Sequence, residues 1–222
     1  MLGFSSFNIV ELLISIPALL WALSFHEFCH GWVAYKLGDR TAAMQGRLSL
    51  NPMDHLDPLG TLMLVFFHFG WAKPVQIDSR YFKNPRRDIA LVSLAGPGGN
   101  FLTALVTAVL CGLITRFMPG AIFGGSFGIY TTFGMIMLNM LLINVGLGIF
   151  NLIPIPPLDG SKVLSLFLPI SALRTFFFLE RYGMIIILLL AATGIMGIIM
   201  NPFFRLMTNF FISVINIVGG LG

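Results

Sequence analysis

Five stretches of this 222-residue chain, roughly residues 8–34, 89–115, 129–152, 183–200 and 203–218, are apolar for long enough to cross a hydrocarbon core of about 30 Å as helices. The last two are short and separated only by Asn201 and Pro202, which predicts a tight helical hairpin or a single broken span. A sixth apolar run, Gly60 to Trp71, is too short to span and reads as re-entrant or interfacial. Composition agrees: 57% of residues are apolar and 10% charged, against roughly 25% charged in a soluble domain, and the mean hydropathy is +0.91. A soluble enzyme is excluded. The expected fold is an all-α polytopic membrane protein of about five to six transmembrane helices, with short re-entrant or strand-like segments between the first two spans.

Orientation follows from the basic residues, which accumulate in cytoplasmic loops. Eight of the thirteen Lys and Arg lie between Lys36 and Arg87, which places that segment in the cytoplasm and the N-terminus outside. The connection 116–128 has only Arg116, whereas 160–182 has Lys162, Arg174 and Arg181, so the sides alternate. No positively charged start or small-residue cleavage pattern marks a removable leader, and residues 1–25 read as mature protein. Cys29 and Cys111 lie in apolar runs and form no disulfide framework. The formal charge of +4 suggests no nucleic-acid partner, since membrane loops need basic residues anyway. No internal repeat, low-complexity tract or room for a peptide-binding module is evident. Ala43 to Leu50 and Lys73 to Asp78 show partial alternation and read as short strands.

Inside the first span stands His26-Glu27-Phe28-Cys29-His30, an HExxH pattern. Histidines four residues apart share one helical face and can chelate one metal ion. Glu27, offset by about 100° from His26 and about 60° from His30, can reach a water beside that ion. Three ionisable groups in five residues of a membrane helix are costly and functional by default. A polar cluster bonding neighbouring helices is the blander reading.

A catalytic zinc takes three protein ligands and keeps one open position. Outside the basic loop the acids are only Glu11, Glu27, Asp159 and Glu180. Asp159 follows the third span in the segment Asn151 to Gly160, and the first and third spans run in the same direction if Gly60 to Trp71 does not cross. His30 and Asp159 then reach similar depth. As an isolated dipeptide Asp159-Gly160 would be a turn; its depth and the shortage of rival acids favour a ligand. Pro154, Pro156 and Pro157 stop helix formation beside it and can leave carbonyls free for an extended peptide.

With these residues in view the chain resembles the site-2 protease family of intramembrane zinc metalloproteases, specifically compact members without a PDZ or CBS domain. The likeness covers about residues 20–160 and rests on the HExxH of His26 to His30, Gly38 to Ala42, Gly46 to Pro52, Gly70 to Val75, Ala95 to Asn100 and the NxxPxPPLDG of Asn151 to Gly160. The resemblance implies one zinc ion held by His26, His30 and Asp159, with Glu27 as catalytic base. It further implies that Asn151 binds substrate or stabilises the oxyanion, and that residues 1–160 are the catalytic membrane core with additional helices in 161–222. The substrate class it implies is a transmembrane protein or membrane-inserted peptide in the lipid bilayer of a prokaryotic cell; the basic loop beside the site places the expected active site towards the cytoplasm. Asn100 matches a family position and reads as a hydrogen-bonding or a packing residue. His55 and His68 read as non-ligands, Cys29 as a small packing group, and Gly124 to Gly128 lacks the lysine of a phosphate loop.

Substrate must be extended to expose a carbonyl, and the strand-like segments 43–50 and 73–78 are candidates to dock it by strand addition. Two other functions use the same ligands. A non-catalytic zinc-binding protein that recognises transmembrane helices would have no need of Glu27. A metal transporter would carry a string of acids or histidines along several helices, which this chain lacks.

Overall fold

In the computed structural model, which describes residues 9–57, 60, 72–118, 120, 122 and 129–220, the long apolar runs are helices. They are α1 (Ile9–Lys36), α3 (Pro85–Phe117), α4 (Ile129–Leu152), α6 (Ile170–Ala192) and α7 (Ile195–Gly219), with short helices α2 (Thr41–Met44) and α5 (Asp159–Ser165) between them. Among the described residues there is no regular strand. Among the described residues four helices are long and apolar enough to cross a membrane: α1, α3, α4 and α7. The chain is an integral membrane protein.

The central helix is α3, which touches α1, α4, α5 and α7. It starts on Pro85, whose missing N–H costs nothing there, and the Asp88 carboxylate accepts the Asn84 N–H at 3.0 Å. Its buried face carries Gly96, Gly99, Asn100, Thr103, Ala104, Thr107, Ala108 and Cys111, nearly all small residues at helical spacing. In lipid the packing of backbones, not water exclusion, holds helices together, so small residues on the central helix are what let four neighbours approach. The apolar core lies at one end of this contact, where Ala104, Ala108 and Cys111 meet Leu141, Val145, Phe211 and Ile215.

Three expectations need correction. Ala43–Leu50 is not a strand: it opens in α2, whose first amide, Thr41 N–H, is taken by the Asp39 carboxylate at 2.9 Å, and Gly46 at φ +69° ends the turn. Lys73–Asp78 is extended but joins no ladder, and only an isolated antiparallel bridge, Leu56 to Ala72, precedes it. Its amides bond elsewhere, Lys73 N–H to the His55 carbonyl at 2.8 Å and Asp78 N–H to the Asp39 carboxylate at 2.7 Å. Finally, the chain turns not at Asn201-Pro202 but at Thr193-Gly194, where Gly194 adopts φ +76°; Pro202 lies inside α7. Hydropathy marked the polar pair, whereas the backbone breaks where a left-handed residue is cheap. The run Gly60 to Trp71 beyond Gly60, with His68, and the glycine cluster Gly124 to Gly128 lie outside the described residues.

Candidate metal centre and active site

His26 and His30 stand one turn apart on α1 and face α3. Room for them comes from Gly96, because a Cβ there would lie 2.6 Å from His26 Cε1 and would overlap the His30 ring. Asp159 opens α5, which can fold back on the end of α4 because of Gly160: a Cβ at that residue would strike the Leu152 carbonyl and stand 2.7 Å from the Ile153 oxygen. The result is a buried cluster. His26 Nε2 and His30 Nε2 are 2.9 Å apart, and each is 3.1 Å from Asp159 Oδ2.

The protons on these rings follow from their partners. His30 Nδ1 donates to the Val92 carbonyl at 2.7 Å, which can only accept, so in the neutral ring Nε2 carries a lone pair. His26 Nδ1 lies 2.7 Å from Asn100 Oδ1. The orientation of that amide is set by its Nδ2, which donates at 3.0 Å both to the Ala22 carbonyl and to Asn144 Oδ1, and Asn144 is oriented in turn by donating to the Met140 carbonyl at 2.8 Å. His26 therefore also presents a lone pair on Nε2. Two unprotonated nitrogens and a carboxylate oxygen face one another with no proton between them, an arrangement that calls for a cation. Tetrahedral ligands about 2.0–2.2 Å from one ion stand about 3.3 Å apart, so the donor types and spacing fit zinc. The group His26, His30 and Asp159 could thus hold a metal ion.

An anionic Asp159 buried here needs a positive partner: burial opposes its charge, and a proton on the rings would hold its carboxyl well below the usual carboxylate range, as a metal ion would in its place. Lys162 Nζ sits 3.7 Å from the other oxygen, Oδ1, and is partly exposed.

A cavity of about 150 Å³ opens on this cluster, lined among others by Glu27, Asn151, Pro157 and Lys162. Glu27 Oε2 accepts the Val75 N–H at 2.9 Å, so the extended segment 73–78 is strapped across the carboxylate, with its far end fixed by Asp39. Asn151 reaches the same cavity; one amide hydrogen bonds the Leu147 carbonyl at 3.0 Å. The structure thus brings together all five residues singled out in the sequence. His55 is outside the group, bonded to the Ser49 carbonyl at 2.8 Å, and Cys29 packs against Gly99. Asn100 hydrogen-bonds the site. Sequence reasoning missed Asn144 and the Val75 amide; the only signal for the first was a polar residue seven places before Asn151 in an apolar helix.

The model of peptidase family M50 matches residues 14–193. This chain belongs to peptidase family M50. That is the site-2 protease family named by the resemblance. The M50 chain is 38% identical over 188 residues to "Putative zinc metalloprotease YwhC" of Bacillus subtilis, covering 84% of each. It is 30% identical over 205 residues to "Putative zinc metalloprotease Rip2" of Mycolicibacterium smegmatis, covering 90% of this chain and 73% of the relative. To "Putative zinc metalloprotease MJ0611" of Methanocaldococcus jannaschii it is 30% identical over 170 residues, covering 73% and 75%. No solved structure matches the M50 chain.

Proposed function

We infer that the chain is an intramembrane zinc metalloprotease that hydrolyses a peptide bond in or near the transmembrane segment of another membrane protein. The observation that carries this is the convergence of proton-free donor atoms from His26, His30 and Asp159 beside Glu27 in one buried cavity. His26, His30 and Asp159 would hold one zinc ion, which would supply Lewis acidity towards water and a peptide carbonyl. Glu27 takes the proton of the attacking water and returns it to the leaving amine. The Val75 N–H, by occupying Oε2, fixes the plane of this carboxylate and leaves Oε1 for the proton. Asn151 has a second amide hydrogen beyond the one on Leu147, and donates it to the developing oxyanion.

Substrate enters extended, since a helix hides its carbonyls in its own hydrogen bonds. The segment 73–78, extended and lining the cavity through Pro74, Val75 and Ile77, is the place for it to lie; 43–50 is excluded by its helix and turn. The site lies on the cytoplasmic side of a prokaryotic cell membrane, with the N-terminus outside and water entering from the cytoplasm; Lys162 at the cavity and the basic segment from Lys36 to Arg87 support this orientation. Residues 1–160 form the catalytic core. The helix α6 adds a fifth crossing, and with α7 makes up the additional helices of 161–222.

The test is zinc content and cleavage of a model transmembrane substrate by the purified chain and by Glu27→Gln. Gln keeps an oxygen for Val75, so zinc is retained, while cleavage falls by about 10²-fold or more. Equal cleavage in both would remove Glu27 as the base. A wild-type chain without zinc would remove the metal reading.

A further inference from the structure

A polar pair spans the interior of the bundle behind the metal ligands. Asn100 on α3 and Asn144 on α4 are both fully buried, in helices whose neighbours are almost all apolar. A buried polar side chain at membrane depth is costly unless its bonds are made and used. Here the bonds form one directional chain from α4 to the metal cluster. The Met140 carbonyl accepts from Asn144 Nδ2 at 2.8 Å, Asn144 Oδ1 accepts from Asn100 Nδ2 at 3.0 Å, and Asn100 Oδ1 accepts from His26 Nδ1 at 2.7 Å. Asn144 lies seven residues, two helical turns, before Asn151 and so on the same face of α4.

We propose that Asn144 is a positioning residue for the metal centre, acting through Asn100 to keep the Nε2 atom of His26 free of a proton. The reason lies in the symmetry of an amide. Asn100 could turn by 180° about its last side-chain bond with little change of shape, presenting NH₂ to His26 Nδ1. His26 would then carry its proton on Nε2, where the metal binds. Two acceptors hold Asn100 against that turn, the Ala22 carbonyl at 3.0 Å and Asn144 Oδ1. The first lies on α1 itself, one turn before His26. The second ties the tautomer of a ligand on α1 to the placement of α4, the helix that leads into Asn151 and Asp159. The ligand set is thereby ready for a cation only when α4 is docked.

This role rests on the zinc reading above, and the test separates the two. Zinc dissociation constants are measured on detergent-purified, zinc-stripped protein by chelator competition. The tautomer of His26 is read by ¹⁵N NMR of histidine-labelled, zinc-free protein. Asn144→Leu, similar in size but without an acceptor, weakens zinc binding by about tenfold, the lower end of the range for the outer partner of a ligating histidine, and gives His26 a population with the proton on Nε2. Asn144→Asp, as the neutral acid that burial at this depth imposes, keeps an oxygen towards Asn100 and a hydroxyl for the Met140 carbonyl, and stays close to wild type in both measurements. Should Asn144→Leu fail to fold, Asn144→Thr, whose hydroxyl stops short of Asn100, reads the same loss. Unchanged affinity and unchanged tautomer in Asn144→Leu would overturn the proposal, as would an equal loss in Asn144→Asp, which would mark the pair as mere packing. Wild-type protein that binds no zinc would instead overturn the metal reading.

Discussion

The glycines of Ala95 to Asn100 allow a sharp test of the centre, because two of them differ only in what faces them. A Cβ added at Gly96 would stand 2.6 Å from His26 Cε1 and 2.5 Å from His30 Cε1, whereas nothing lies within 4 Å of one added at Gly98. Carbon atoms in contact settle near 3.5–4.0 Å, so Gly96→Ala demands about 1 Å of retreat by both rings. Neither ring can turn away without breaking its bond to Val92 or Asn100, so α1 and α3 must part. Overpacking of this kind costs about 1–3 kcal/mol of stability. The functional cost is larger, since a metal site tolerates about 0.2 Å and a 1 Å misplacement can lower turnover by about 10²-fold. Gly98→Ala should keep zinc and gain a few tenths of a kcal/mol to about 1 kcal/mol, because alanine suits a helix better than glycine. The assay is zinc per chain by mass spectrometry, thermal unfolding in detergent and cleavage of a transmembrane substrate. If Gly96→Ala matches Gly98→Ala in zinc content and turnover, the close packing of the two ligand rings on α3 is wrong.

Other contacts give further outcomes. A Cβ at Gly99 would meet Cys29 Sγ at 2.5 Å, so Gly99→Ala should lower stability by about 1–3 kcal/mol, and Cys29→Ala in the same chain should restore most of it; thermal unfolding of the four proteins closes the cycle. Val75→Pro deletes the N–H that holds Glu27 and should cut turnover by about tenfold or more with zinc retained, the worth of one hydrogen bond to a charged group; unchanged turnover would show that the strap does not place the base. A Cβ at Gly183 would overlap the Pro156 carbonyl, so Gly183→Ala should loosen α6 from the proline loop and lower the unfolding temperature in detergent by an amount equivalent to about 1–3 kcal/mol, with the zinc ligands themselves untouched.

What the sequence disclosed and what it hid divide along physical lines. His26 and His30 were legible because helical periodicity is local, and Asp159 because acids are so few in this chain that depth alone selects among them. The first three long apolar helices were legible for the same reason, as runs without charge. The turn at Gly194 was not, since hydropathy reports polarity and the break there depends on a backbone conformation that glycine adopts cheaply. The strap was half seen: an extended segment was expected, but its partners are Glu27, 48 residues away, and Asp39, 39 residues away, and no local pattern encodes them. Asn144 was hidden by its setting, one of three asparagines in an apolar helix, with its partner Asn100 44 residues distant. Gly96 was visible as a residue and silent as a reason, because its purpose exists only once α1 is packed against it.

That purpose points to α3 as the template of the site. Val92, Gly96 and Asn100 recur every four residues, so they share one face of the helix. From one end to the other this face offers a carbonyl for the Nδ1 proton of His30, a gap for both rings, and an amide oxygen for the Nδ1 proton of His26. None of the three is a ligand, yet together they decide which nitrogen of each histidine is free and where it points. In a medium without water to solvate a misplaced ring, such fixed partners must do what solvent reorganisation would do elsewhere. The proposed ligands on α1 and the acid after α4 are consequently arranged by a helix that would donate no atom to the metal, which is why a change as small as one methyl group on that helix should reach the chemistry.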